Sequence, residues 1–477
     1  MKPSVETQAD TIENSPAVIF EKQSRAFAEQ PLIRYEQRLA MIKKIEEIIC
    51  ENDDLICRAI SGDFGNRSFD ETKLLEITPC ITGLRHTAKQ LKKWMRPQKR
   101  HISKLFFGAE NVVVPQAKGI VGIIVPWNYP LFLAISPMTS AIAAGNRVMV
   151  KPADNSMALS RLLQEKFSEK ISGELISFLP GADPSQFSCL PFNHLVFTGS
   201  ARVGKIIMRQ ASDTLTPVTL ELGGKSPTIL ADDFPVKTAV ERIMFGKLIN
   251  SGQTCVAPDY LFVPEHRLET FIELARQVVA DRYPDIQSRD YTSIIDQNAF
   301  SRLVTTLEDA VQKGARIIQL IPGPRWDEKL KKISPVLLTG VTPDMTIMKE
   351  EIFGPFLPVL SYKKIDTVID YINRHDRPLA LYPFSNNRKF IDRVLCQTIS
   401  GGVSVNDCTL QVAQHDMPFG GIGTSGMGHY HGYEGFVEFS KLKPIFKQAK
   451  WPFPIQIPFN RFLDQGYHFL KKTKWIS

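Results

Sequence analysis

Nowhere in its 477 residues does the chain run to the roughly 18 uninterrupted apolar residues that a membrane-spanning helix needs. The first fourteen residues are polar and acidic and offer no apolar core for a signal peptide. Paired metal spacing is also missing. Seven cysteines stand singly at 50, 57, 80, 189, 255, 396 and 408, an odd number that fits neither a zinc module nor a disulfide scaffold. No metal site is expected, and the free thiols point to a reducing, cytoplasmic compartment. There is no internal repeat and no low-complexity tract. Nor is there a broad basic surface. Of the net charge of +8, most sits in residues 440–477, where eight cations face one acid, Asp464, so the remainder nearly balances. That distribution argues against nucleic acid as a partner.

What remains is an ordinary globular composition, 43% apolar and 23% charged, at a length that admits two or three domains. Residues 1–15 are expected to be disordered. Pro16 to about Ile60 reads as one long amphipathic helix, with Leu39, Ile42, Ile45, Ile48 and Ile49 at helical spacing. On it Cys50 and Cys57, seven apart, share a packing face. A second helix is expected over Glu71 to Met95. Asn111-Val-Val-Val-Pro115 then reads as a β excursion outside the main body.

From Gly119 the pattern alternates. Gly119-Ile-Val-Gly-Ile-Ile-Val125 is a continuous apolar run, as a strand covered on both faces requires. An apolar helix to Ala144, a strand Arg147 to Val150, a helix from Ser156, a strand His194 to Thr198 and a helix from Ala201 follow. This rhythm predicts an α/β fold with a doubly wound parallel sheet. A second α/β series follows, with strands near Ser226 to Leu230, Tyr260 to Val263, Arg316 to Leu320, Pro358 to Tyr362 and Gly401 to Val405. The two series meet near Gly223-Gly224.

Six short motifs could carry chemistry. Asn250-Ser-Gly-Gln-Thr-Cys255 places one cysteine in a glycine-flanked turn between a helix and a strand, where a thiol can be reactive; the plainer alternative is an apolar filler. Thr198-Gly199-Ser200-Ala-Arg-Val-Gly204-Lys205 turns from strand into helix, a place where free N–H groups hold phosphate. Ile206 occupies the position that a P-loop reserves for Ser or Thr, which leaves a dinucleotide turn of unusual spacing or a simple tight turn. Lys151-Pro-Ala-Asp154 ends a strand with a cation and a short acid, able to grip ribose hydroxyls or merely each other. Glu221, between Leu220 and Leu222, is expected to be partly buried, which raises a carboxyl toward general-base range; a paired structural acid is the alternative. Trp127-Asn128, between Pro126 and Pro130, forms a rigid corner whose amide could donate to an oxyanion. Glu351, two residues before Phe353 in a Gly-Pro loop, could accept from a sugar hydroxyl.

Taken in chain order, Trp127-Asn128, Lys151-Pro152, Gly199 to Gly204, Glu221-Leu-Gly-Gly-Lys225, Gly252-Gln-Thr-Cys255 and Glu351-Ile-Phe-Gly-Pro355 resemble the aldehyde dehydrogenase superfamily over roughly residues 20–445. Leu215 to Pro227, Asn250 to Tyr260, Pro418-Phe-Gly-Gly421 and Gly426-Met-Gly-His-Tyr-His-Gly432 resemble its class 3 and fatty-aldehyde branch, and the bacterial coniferyl-aldehyde dehydrogenases within it. The resemblance implies an aldehyde dehydrogenase fold. A Rossmann-like NAD domain would span 1–97 and 118–223, and a catalytic α/β domain 224–425. A bridging, oligomerising segment would be made of 98–117 and 426–446, followed by a tail at 447–477. It implies Cys255 as nucleophile, Asn128 and the Cys255 N–H as oxyanion donors and Glu221 as the base that activates water. Lys151 and Asp154 would sit at the adenosine ribose, with Gly199, Ser200 and Gly204 along the pyrophosphate. Glu351 would hold the nicotinamide ribose, while Phe353 and Trp127 shape the site. The implied cofactor is NAD, with NADP left open; Asp154 stands where the family commonly has Glu, and either acid disfavours a 2′-phosphate. The substrate would be an aromatic or a medium-to-long aliphatic aldehyde, and the assembly a homodimer.

Two other readings stay open. A CoA-acylating relative would use the same cysteine but generally lacks an acid like Glu221, and a non-catalytic binding protein of this fold would not need Cys255, Glu221 and Asn128 together. The tail interleaves Trp451, Phe453, Phe459, Phe462, Tyr467, Phe469 and Trp475 with Lys447, Lys450, Arg461, Lys471, Lys472 and Lys474. It suits peripheral membrane contact, or packing on the body or across a dimer.

Overall fold

The computed structural model describes residues 15–103, 106–450 and 461–472. Expectations for residues 1–14, and for Trp451, Phe453, Phe459, Lys474 and Trp475, lie outside the described residues. No helix among those described is long and apolar enough to cross a membrane.

The long helix expected from Pro16 to Ile60 is three helices: Pro16–Glu29, Tyr35–Glu51 and Asp53–Phe64. Pro31 causes the first break, because a proline disfavours helical backbone in the residue before it and has no N–H to continue the ladder. Asn52, at φ −119°, causes the second. Apolar periodicity survived both breaks because all three helices press the same kind of face onto the body. The second break also separates the two cysteines: Cys57 is buried and Cys50 is exposed. The helix expected from Glu71 to Met95 runs as a short helix Phe69–Thr72, a π-turn Lys73–Ile77 and a helix Thr78–Trp94. Pro79 cannot donate to a carbonyl one turn back, and the wider π-turn precedes it. Such turns often mark sites, and this one carries the buried Glu76.

Five parallel strands and one antiparallel neighbour form a six-stranded sheet in the order Gly426–Met427, Val218–Leu222, His194–Gly199, Ile120–Ile124, Arg147–Lys151, Ile176–Phe178. Ile120–Ile124 and Arg147–Lys151 are buried at every residue, as their unbroken apolar runs require. The chain starts at Ile120–Ile124, winds one way through Arg147–Lys151 and Ile176–Phe178, then returns to build the other wing. The strand order therefore reverses between Ile120–Ile124 and His194–Gly199. Ligands bind at the carboxyl ends of strands beside such a reversal, and the two loops that leave there carry Trp127-Asn128 and Ser200.

The second sheet has seven strands, ordered Arg316–Gln319, Val336–Thr339, Phe356–Tyr362, Tyr260–Pro264, Pro227–Leu230, Ala380–Phe384, Gly402–Val403. All neighbours are parallel except the first pair. Val336–Thr339 and Ala380–Phe384 were not singled out from the sequence; Pro383 interrupts the second as a pattern. The strands on either side of Gly223-Gly224 belong to different sheets. Glu110–Ala117 pairs with Gln98–Arg100 on one side and with Ser440–Lys447 on the other, a separate three-stranded ribbon. The segment after Gly426 thus divides, its first two residues joining the six-stranded sheet and residues 440–447 the ribbon.

Candidate active site

The corner Pro126 to Pro130 is held from below by residues that sequence reading passed over. Arg67 and Glu76 form an ion pair at 2.6 Å with both side chains fully buried. Arg67 Nη1 also donates to the Asn128 carbonyl at 2.9 Å, and its guanidinium lies 4.8 Å from the centre of the Tyr129 ring. Glu76 Oε2 accepts from the N–H groups of Leu131 and Phe132 at 2.7 and 3.1 Å. A carboxylate at the start of the helix Phe132–Ala144 suits both the free N–H groups and the helix dipole. The corner is thereby fixed in place. Asn128 is 3% exposed and points its amide at the Gln253 carbonyl, 3.2 Å away.

Gln253 belongs to the turn that presents Cys255. That turn leaves the helix Val236–Leu248 through Asn250 and Ser251, both near φ +50°, then Gly252 at φ +75°. Positive φ at two non-glycine residues is strained backbone, and its surroundings must hold it. Asn250 N–H donates to Glu71 at 3.1 Å, and the Asn250 amide donates to the Asn128 and Gln253 carbonyls at 3.0 and 3.2 Å. Gln253 in turn donates to Ser293 O and accepts from Ile295 N–H, both at 3.0 Å. At Gly252 a Cβ would fall 2.2 Å from the Gly354 carbonyl oxygen, so only glycine fits. The loop of Cys255 and the loop of Phe353 are thus packed backbone to backbone. Arg67, Glu71 and Glu76 belong to none of the motifs: apart from the Arg67–Glu76 pair itself, nine residues apart, their side chains reach partners 55 to 221 residues away in sequence.

Cys255 is half-buried on the wall of a cavity of about 310 Å³ that Tyr129, Phe132, Phe245, Val256 and Phe419 also line. Burial, with the nearby carboxyls of Glu351 and Glu221, pushes its thiol up to about 12. Cys255 opens onto that cavity. The resting thiol is nevertheless protonated.

Glu221 is 2% exposed, and neither carboxylate oxygen has a hydrogen-bond partner among the described residues. Burial, then the charge of Glu438, holds its carboxyl well above the usual carboxylate range. An unpaired buried acid is costly to the fold. The alternative of a structurally paired acid does not describe it. Tyr430, fully buried, lies within electrostatic reach of both Glu221 and Cys255.

A second cavity, of about 470 Å³, is lined by Ser200, Gly223, Lys225 and Glu351 among others. Ser200 caps the helix Ala201–Ser212, accepting from Val203 N–H at 3.4 Å. Gly204 is buried in that helix, where a Cβ would sit 2.8 Å from Leu222. Gly199 similarly packs under the Phe197 ring, 2.6 Å from where a Cβ would be. Two glycines therefore let the helix and strand close together at the reversal point. A Cβ on Gly223 would meet Glu351 Oε2 at 1.9 Å. Burial and Asp259 raise the Glu351 carboxyl to about 8, while the Gly224 N–H bonds to it.

The Glu351 loop is clamped by another pair missed in the sequence. Lys225 Nζ binds Asp259 and donates to the Ile347 and Glu350 carbonyls, each at 2.8 Å; Asp259 Oδ2 accepts from Ile352 N–H at 2.9 Å. Phe353, at φ +49°, lies edge-on to Trp127 with ring centres 5.4 Å apart. Lys151 is buried and its Nζ donates to Asp154 at 2.8 Å, Asp154 being largely exposed. This pair stands at the end of its strand and does not line the 470 Å³ cavity. The donor set suits a dinucleotide: free N–H groups at a helix start for phosphate, and Lys151, Asp154 and Glu351 for ribose hydroxyls. Among the described residues no cluster fit for a metal ion occurs.

The model of the aldehyde dehydrogenase family matches residues 6–445. The chain is an aldehyde dehydrogenase. It is 45% identical over 441 residues to a probable coniferyl aldehyde dehydrogenase of Pseudomonas aeruginosa, covering 92% of each chain. Among solved structures it is similar to the substrate-bound state of Staphylococcus aureus AldH, with TM-score 0.89 and 34% identity over 94% of this chain and 98% of that one. It is also similar to the NAD+ complex of a Bacillus cereus aldehyde dehydrogenase, with TM-score 0.83 and 27% identity over 91% and 90%. This aldehyde dehydrogenase has the α/β fold of its family and oxidises an aldehyde to the carboxylic acid with NAD or NADP.

Proposed function

We propose that Cys255, Asn128 and Glu221 carry the reaction. The Cys255 thiol loses its proton to solvent, and the thiolate sulfur bonds to the aldehyde carbon while the carbonyl oxygen becomes an oxyanion. One Asn128 N–H is committed to the Gln253 carbonyl; the other N–H, with the Cys255 backbone N–H, holds that oxygen. Bound NAD or NADP supplies the hydride acceptor. Loss of hydride leaves a thioester on Cys255. Glu221 takes a proton from water as the water oxygen attacks the thioester carbon; the C–S bond breaks, the departing sulfur takes the proton back from Glu221, and the carboxylic acid leaves a free Cys255 thiol behind. The observation that supports this most is the Glu221 carboxyl, buried without a hydrogen-bond partner among the described residues yet within electrostatic reach of the Cys255 thiol.

Lys151 and Asp154 are assigned to the adenosine ribose, Gly199, Ser200 and Gly204 to the pyrophosphate, and Glu351 to the nicotinamide ribose. Trp127 and Phe353 form the wall beside the ring. Negative charge at Asp154 favours NAD over NADP. The six-stranded sheet with the N-terminal helices is the cofactor domain and the seven-stranded sheet the catalytic domain. The ribbon of 98–117 and 440–447 is the bridge through which a homodimer assembles. The 310 Å³ cavity, walled by aromatic rings, fits aromatic aldehydes, in keeping with the name of the Pseudomonas relative.

The test is aldehyde-dependent NADH formation on a panel of coniferaldehyde, benzaldehyde and fatty aldehydes, with free acid assayed as product. Cys255→Ala is expected to abolish it. NADH that survives the substitution removes the assignment; acyl-CoA in place of free acid would favour the acylating alternative. For the tail, the helix Arg461–Lys472 exposes Tyr467 and Phe469, at 56% and 61%, beside Lys471 and Lys472. Peripheral membrane contact predicts that the intact protein sediments with anionic liposomes more than a form ending at Phe446; equal partitioning leaves packing across the dimer.

A further inference from the structure

Beside the cavity that holds Cys255 lies a smaller chamber of about 20 Å³, room for one oxygen-sized group. The two share Pro79 and His415 as walls. Half of the residues that line the chamber are polar, Thr87, Ser136, Thr139, Ser140, His415 and His431; the other half are apolar or glycine. His431 is 4% exposed, and neither of its ring nitrogens has a hydrogen-bond partner among the described residues. Its backbone is held at φ +79°, a conformation that non-glycine residues rarely adopt. Its ring stacks on Phe419 at 5.5 Å and meets the edge of Phe132 at 5.8 Å, and both of those rings also line the Cys255 cavity. Burial, and then the neighbouring His415, lower His431 to about 3. The imidazole is therefore neutral, with one N–H to give and one lone pair to receive.

His415 supplies a second polar group whose tautomer can be deduced. Its Nε2 lies 2.7 Å from Thr82 Oγ1, and Thr82 Oγ1 lies 2.8 Å from the Thr78 carbonyl. A carbonyl only accepts, so the single Thr82 proton goes to Thr78. His415 Nε2 must then be the N–H that donates to Thr82. Burial, followed by the charge of His86, lowers the His415 pKa, so its other nitrogen, Nδ1, is a lone pair. That nitrogen faces Gly83 on the chamber wall, 3.2 Å from where a Cβ there would sit. Of the groups around His415, His86 Nε2 lies 3.4 Å from Asp416 Oδ1.

One wall thus carries a fixed acceptor and another a neutral imidazole with a donor and an acceptor. A hydroxyl answers both, donating to His415 Nδ1 and accepting from His431. An ether, a methyl or a hydrogen leaves the buried His431 ring without its partner and His415 Nδ1 without a donor. We propose that this chamber, through His415 and His431, is the recognition site for a hydroxyl carried by the aldehyde at the end remote from its carbonyl. The inference rests on the assignment of Cys255 as nucleophile and adds the residues that read the far end of the molecule.

Substrate pairs test it in the wild-type holoenzyme. They are 4-hydroxycinnamaldehyde against cinnamaldehyde, and coniferaldehyde against its 4-O-methyl ether. A site built to bond a hydroxyl is expected to prefer the free hydroxyl by about tenfold or more in kcat/KM. His415→Leu and His431→Leu are each expected to compress that ratio to below about threefold. A wild-type ratio below about threefold in both pairs overturns the proposal and leaves the chamber holding no more than a buried water. A ratio that survives both substitutions overturns it as well. Either result would leave Cys255-dependent oxidation of all four aldehydes standing. Absence of NADH with every aldehyde would instead sink the catalytic assignment.

Discussion

Cys255 is expected to resist alkylation in the cofactor-free enzyme. Its thiol is pushed from 9.0 up to about 12 by burial first, then by Glu351 and Glu221. Only the thiolate reacts, and its population falls tenfold per unit. At pH 8 an ordinary thiol is about one-tenth ionised and this one about one part in 10⁴, so iodoacetamide is expected to label Cys255 about a thousandfold more slowly. Because Cys50, Cys189 and Cys396 are exposed, total thiol loss would mislead. The assay is peptide mass spectrometry of the Cys255 peptide across pH 6–11. The rate is expected to climb with unit slope past pH 10, without a plateau. Glu351→Gln, which removes the largest of the charge contributions, is expected to move the profile to lower pH. A plateau below pH 9 in the wild type would refute the reasoning, since the resting site would then be stabilising the thiolate.

Glu221→Gln is expected to lower steady-state turnover by about 10²–10⁴, the usual range for losing a general base, while a first-turnover burst of NADH persists; turnover at the wild-type rate would exclude Glu221 as the base. The same variant has a stability signature. A carboxyl raised by burial contributes stability below its unfolded pKa that is lost as pH rises toward the raised folded value, so the Tm of the variant relative to wild type is expected to increase from pH 4 to pH 8. Asp259→Asn loosens the clamp on the Glu351 loop and is expected to raise KM for NAD about tenfold, with KM for the aldehyde within twofold, as read by varying each substrate in turn; equal shifts in both constants would contradict it. The ratio of kcat/KM for NAD to that for NADP is expected to exceed one, and Asp154→Asn to lower it; preference for NADP would reverse the reading of Asp154.

Much of the site was legible in the chain because its parts are local. A cysteine among Gly252, Gln253 and Thr254, an acid between Leu220 and Leu222, and glycines at 199 and 204 each announce a turn, a burial or a close approach within a few residues. The continuous apolar strands at 119–125 and 147–150 announced a parallel sheet for the same reason. Helix boundaries were less legible. Amphipathic spacing ran through Pro31 and Asn52 unchanged, and only backbone geometry divided one expected helix into three.

The sequence by itself determined the alternating α/β order, the family, and which cysteine and which carboxyls to watch, since side-chain type and short-range spacing are written directly in it. Tertiary structure alone decided what those groups experience. Whether Glu221 is paired or solitary depends on strands brought together from residues 198 and 426. The height of the Cys255 pKa depends on a loop nearly a hundred residues away. The hold of Arg67 and Glu76 on the Asn128 corner, the strut Lys225–Asp259, and the meeting of His415 and His431 at one chamber join segments that no local pattern relates. Desolvation and the distance between charges are properties of the folded arrangement, so they become readable only when the chain has closed on itself.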